Sequence, residues 1–225
     1  HELSHASIKD GIRLCFADRF PFKHNNLEDL EAKLKKAKGT IYIVVESIYS
    51  MDGDTCPIAS IITLAKKYNA LIIVDEAHST GVVGDNGSGL CCKLKLEKEI
   101  FIRIHTFGKA MGVHGACVVG SSIVKDFLIN FSRPFIYTTA LPVHSVASIG
   151  AAFEYLATNM SLQNEIAKKI ALFNNNTGDI NKIISFSPIQ AIVVPEVENV
   201  KKVAAKLREE GFNVKPILAP TVKEG

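Results

Sequence analysis

Short apolar runs alternate with longer stretches of helical period along most of this chain. Residues 40–45 (TIYIVV), 70–74 (ALIIV), 100–105 (IFIRIH) and 115–120 (GACVVG) read as strands. Residues 57–68 (PIASIITLAKKY) read as a helix, and Pro57 suits its first turn. Residues 123–131 and 143–160 read as helices too. Strand, helix and strand at this spacing predict an α/β fold, a mostly parallel sheet flanked by helices.

The texture changes after about residue 159. Residues 162–174 are helical, 174–179 (NNNTGD) form a turn cluster, and 190–194 read as a strand. Residues 199–211 form an amphipathic helix stopped by Gly211, and 212–217 a further strand before Pro220. The expected division is a large α/β domain over 1–160 and part of a smaller α+β domain over 161–225. The chain opens His1-Glu2-Leu3-Ser4-His5 without a Met, and no closing helix follows the last strand, so truncation at both ends is expected.

Composition narrows the classes. With 47% hydrophobic and 22% charged residues in 225, the chain is neither disordered nor collagen-like. The net charge of +3 gives no basic footprint, so neither nucleic acid nor a membrane is an expected partner. No apolar run approaches the roughly 18 residues of a membrane span. Five Cys, an odd number without a C-x-x-C pair, fit reduced thiols and a cytoplasmic location.

The candidate chemistry collects at strand ends. In an open parallel sheet, ligands bind beyond the carboxyl ends of the strands. The first predicted strand runs into Glu46-Ser47-Ile48-Tyr49-Ser50-Met51-Asp52-Gly53-Asp54, the second into Asp75-Glu76-Ala77-His78, and the third into His105-Thr106-Phe107-Gly108-Lys109. Lys109 lies between Gly108 and Gly112, and a Lys in a narrow dry site can form a Schiff base; a loop lysine is the plain reading. Asp75 could hold the proton of a heterocyclic nitrogen, as pyridoxal phosphate (PLP) requires, or could cap the next helix. His78 could hydrogen-bond a phenolic oxygen or be structural. Thr106 could cradle a phosphate or simply favour a strand. Ser50 precedes an Asp-Gly pair that also fits an ordinary turn.

Two other chemistries compete. Val74-Asp75-Glu76-Ala77-His78 has the letters of an ATPase strand with Asp75 on Mg²⁺ and Glu76 activating water, but Gly108-Lys109 lacks the rest of a phosphate loop. Of the seven His, His1 and His5 alone stand at H-x-x-x-H spacing, and they sit at an end expected to be cut, so metal catalysis ranks low.

Together these segments resemble the α-oxoamine synthases, PLP enzymes of aminotransferase fold type I. The resemblance rests on 46–54 (ESIYSMDGD), 74–84 (VDEAHSTGVVG) and 105–116 (HTFGKAMGVHGA), and in order on Leu3-Ser4-His5-Ala6-Ser7, 136–142 (IYTTALP) and 215–225 (KPILAPTVKEG). It implies that Lys109 carries the cofactor and moves protons. Asp75 would pair with its ring nitrogen, His78 and Ser50 with its phenolic oxygen, and Thr106 with its phosphate. Thr138 and Thr139 would reach the phosphate site of the neighbour in a homodimer. The family reaction is a decarboxylative condensation of an amino acid with an acyl-CoA or acyl-ACP thioester. The wording of 105–116 and of 132–142 (SRPFIYTTALP) is nearest the member that joins alanine to a pimeloyl thioester. The resemblance also implies a glycine-rich stretch and a stacking His upstream, and a carboxylate-gripping Arg downstream. A non-catalytic fragment that keeps the fold core is therefore a second expectation.

Overall fold

The computed structural model describes residues 1–219, Thr221 and Val222. Pro220 and the last three residues of 215–225 lie outside them. Four strands form one sheet in the order β1 (Ile41–Glu46), β2 (Ala70–Asp75), β3 (Ile102–Thr106) and β4 (Ala116–Gly120). The first three are parallel, and β4 returns antiparallel to β3.

Before the sheet come α1 (Ala6–Arg13) and α2 (Leu27–Leu34), and α3 (Ile58–Lys67) joins β1 to β2. The short α4 (Leu90–Lys93) lies between β2 and β3. After β4 follow α5 (Ser122–Phe131), α6 (Arg133–Ile136), α7 (Val143–Thr158), α8 (Ser161–Asn176) and α9 (Val197–Glu209).

The main core lies on the face of β1 and β2 that α2 and α3 cover. Ile58, Ile61, Ile62 and Ala65 recur at helical spacing along α3 and meet Ile43, Val45, Ile72 and Val74, with Leu30 and Leu34 of α2 beside them. A smaller cluster of Phe107, Met111 and Leu156 packs the loop after β3 against α7.

Three sequence expectations in the C-terminal part change. The turn expected at 174–179 begins only at Thr177, because α8 continues through Asn176. Lys182 reaches back with its Nζ to the carbonyl of Asn174 at 3.1 Å and to Thr177 Oγ1 at 2.7 Å, satisfying acceptors at the helix end. The strand expected at 190–194 is reduced to a single bridge between Lys182 and Ile192. Residues 212–217 pair with no neighbour among the described residues and form no strand. Gly211, at φ +87°, does stop α9.

Candidate active site

Register places the chemistry side by side. Glu46 pairs with Asp75 across β1 and β2, and Asp75 with Ile104 across β2 and β3. Each strand then leaves the sheet in a tight turn. After β1, the N–H of Gly53 donates to the carbonyl of Tyr49 and the N–H of Tyr49 to that of Asp54, closing a loop that carries Ser50. Gly53 has φ +70°, and a Cβ there would lie 2.4 Å from the carbonyl oxygen of Ile189.

After β2, the N–H groups of Ser79 and Thr80 both donate to the carbonyl of Glu76, and the resulting turn presents His78. Asp75 is buried, and its Oδ1 accepts the N–H of Ala77 at 2.8 Å. One Asp75 oxygen thus closes a turn and does not cap the expected helix, while Oδ2 has no hydrogen-bond partner among the described residues. Burial pushes the Asp75 carboxyl above its ordinary value, against the pull of the Ala77 N–H and of the Lys109 charge. His78 is half-buried; burial first, then the charges of Lys109 and His5, push it down to about 4. At neutral pH it is an uncharged imidazole.

After β3, the N–H of Val113 donates to the carbonyl of Phe107, and the N–H of Phe107 to that of Gly115. Buried Phe107 and Met111 anchor the loop between them, which leaves Lys109 exposed rather than enclosed. Thr106 Oγ1 is buried and unpartnered among the described residues. A buried hydroxyl without a partner is costly, and a phosphate oxygen would satisfy it. Lys109 and His78 border a cavity of about 400 Å³ walled mainly by Val82, Leu162, Ile166 and Ile189. Another, of about 430 Å³, lies at the amino-terminal end of β2 and holds none of the candidates.

Glu76 has a different role from the one the ATPase letters give it. It is fully buried and accepts hydrogen bonds from Ser79 Oγ, from the N–H of Leu90 at 2.6 Å and from that of Cys91 at 3.2 Å. Arg103 lies 3.8 Å away. Its oxygens are occupied in holding the loop after β2.

The backbone N–H of His5 donates to Glu46 at the end of β1, and the His5 side chain accepts the N–H of Ser7 at the start of α1. A cluster that spacing did not reveal is His24 with Asp52 and Asp54. His24 Nε2 lies 2.7 Å from Asp54 Oδ2, which also accepts from Asn25 Nδ2 at 2.8 Å. These bonds fasten the segment before α2 to the loop carrying Ser50. Thr138 and Thr139 lie exposed beyond α6, and neither side chain makes a hydrogen bond among the described residues.

The class of protein follows. Residues 1–225 match the family aminotransferase class I and II, and the chain belongs to it. It is 35% identical over 230 residues to 8-amino-7-oxononanoate synthase of Petrotoga mobilis and 37% over 252 to that of Emericella nidulans. All of this chain is covered in both, against 58% and 60% of those proteins, so the chain spans under two thirds of the length of these relatives. Among solved structures, a serine palmitoyltransferase from S. paucimobilis with bound PLP–myriocin superposes with a TM-score of 0.93 at 29% identity, covering 99% of this chain and 57% of that one. The 8-amino-7-oxononanoate synthase of Francisella tularensis gives 0.86 at 30%, covering 98% and 65%. The mostly parallel sheet with flanking helices is the fold of these enzymes.

Proposed function

We propose that this chain carries the PLP site of an acyltransferase of the α-oxoamine synthase type. The particular reaction is that of 8-amino-7-oxononanoate synthase, which joins L-alanine to a pimeloyl thioester of CoA or ACP in biotin synthesis. The observation that supports this most is the meeting of Lys109, Asp75, His78 and the orphaned Thr106 hydroxyl at adjacent strand ends. The names of the relatives point the same way.

When bound, PLP supplies an electron sink for the amino acid's α-carbon. Asp75 would hold the proton of the ring nitrogen with its free oxygen. A cation placed there also favours the charged carboxylate that burial disfavours. Neutral His78 and Ser50 would hydrogen-bond the phenolic oxygen, and Thr106 would donate its hydroxyl to the phosphate. His5 is the ring available to stack on the cofactor, a part expected upstream of this chain. Lys109, exposed at the cavity mouth, would bind the aldehyde carbon, then take the α-proton and return it after CO₂ has left.

The enzyme would work as a cytoplasmic homodimer in which Thr138 and Thr139 serve the neighbour's phosphate, with residues from 161 onward belonging to a smaller domain. Their exposure supports this reading. Among the described residues no helix is long and apolar enough to cross a membrane.

The test supplies PLP and compares three substrate pairs: alanine with pimeloyl-CoA, serine with palmitoyl-CoA, and glycine with acetyl-CoA. Free CoA and CO₂ from the first pair are expected. Turnover of only the second or third pair would make the chain a serine palmitoyltransferase or glycine C-acetyltransferase. No turnover with PLP bound would contradict acyl transfer and leave the non-catalytic fragment.

A further inference from the structure

Glu46 ends β1, is 2% exposed, and stands in register with Asp75. Its Oε1 accepts the backbone N–H of His5, 41 residues away in sequence. One buried side chain therefore ties a separate stretch of chain to the end of β1, beside Asp75. His5 caps α1, and Ser50 sits on the loop that Gly53 closes.

Burying two carboxyl groups at neighbouring strand ends is costly unless one keeps its proton. Burial, then the neighbouring Asp75, push the Glu46 carboxyl up to about 7, against the N–H of His5 and the charge of Lys109. The N-terminal amine and Tyr49 also lie within reach of its charge. A carboxyl retained under such conditions is explained by what it fastens.

We propose that Glu46 is a positioning residue of this site: it holds the backbone of His5 against the end of β1 and so sets where a ligand over Asp75 lies. The proposal rests on the PLP reading for the identity of that ligand.

The test has two arms. In the apo protein, amide exchange at His5 is followed by NMR in wild type, Glu46→Ala and Glu46→Gln. Exchange is expected to rise about tenfold or more in Glu46→Ala and to stay near wild type in Glu46→Gln, which keeps an acceptor oxygen. In the second arm PLP is titrated into each chain. Affinity is expected to fall about tenfold or more in Glu46→Ala, with an altered visible band, and to be restored in Glu46→Gln.

Unchanged exchange in Glu46→Ala with wild-type circular dichroism overturns the proposal. Changed exchange with equal PLP affinity and an identical band in all three chains overturns the positioning role. No PLP binding by wild type sinks the cofactor reading, and the exchange arm then still decides the tether. If Glu46→Ala does not fold, Glu46→Asp takes its place. Its shortened carboxyl should lose the tether that Glu46→Gln keeps, and wild-type exchange and affinity in Glu46→Asp would overturn the proposal.

Discussion

Asp75 and Glu46 are neighbours of the same chemical type in different surroundings. Asp75 keeps an oxygen free, whereas Glu46 is tied to the backbone N–H of His5. The Glu46 carboxyl moves from an ordinary 4.5 to about 7 on folding. Between those values the folded chain holds a proton that the unfolded chain has lost, so the stability it contributes is present at low pH and lost as pH rises through about 7. Glu46→Gln removes this dependence. It is expected to match wild type near pH 4.5 and to exceed it at pH 8 by on the order of 2 to 3 kcal/mol, read from urea unfolding. His78, pushed down to about 4, runs the other way, but it is common to both chains and cancels in the comparison. A less stable Glu46→Gln at pH 8 would contradict the assignment. Asp75→Asn should still take up PLP but turn over about a hundredfold or more slower, because a neutral amide does not hold a ring proton. Single-turnover rates on the PLP-loaded variant check this. Lys109, Asp75, His78 and Thr106 could be found in the sequence because each lies within a few residues of an apolar run. Glu46, His5 and Glu76 could not be assigned that way, since their partners lie 41, 41 and 14 residues off and only the fold brings them together.

Elements are positioned by devices of the same kind. The turn after β2 depends on Glu76, whose oxygens close the loop from Ser79 to Cys91. Glu76→Ala leaves two backbone N–H groups and the nearby Arg103 without their acceptor, and should cost on the order of 3 kcal/mol in urea unfolding. Gly89 meets the same carboxylate from the other side: at φ +100° a Cβ would lie 2.5 Å from Glu76 Oε2. Gly89→Ala should therefore cost about 2 kcal/mol or more by the same measurement. The strands and α3, α5 and α7 are legible as apolar runs and helical periods. The helix α2 carries comparable signals, with Asn26 capping the N–H of Asp29 and Leu27, Leu30 and Leu34 along one face, but it lies in a charged stretch that contrasts little with loop. The failed strand at 212–217 has the opposite cause. Its residues alternate suitably, but a strand needs a neighbour, and no neighbour is visible in local pattern.

At the scale of the molecule, the two faces of the sheet differ. The β1–β2 face is closed by α2 and α3, while β4 is exposed throughout, and α5 presents Ile123, Phe127 and Phe131 to solvent. A contiguous apolar surface of this kind marks an association face. It supports the homodimer proposed above, and sedimentation at micromolar concentration should show dimer, with Thr138 and Thr139 near the contact. A monomer that binds PLP fully would contradict their proposed role. The central claim remains the site at the strand ends. The most direct measurement adds PLP to the protein, records the visible spectrum, reduces with borohydride and maps the modified peptide by mass spectrometry. A visible band that borohydride fixes on the peptide containing Lys109, and that Lys109→Ala lacks, is the predicted result. A band fixed on another lysine, or equally strong in Lys109→Ala, would contradict the account.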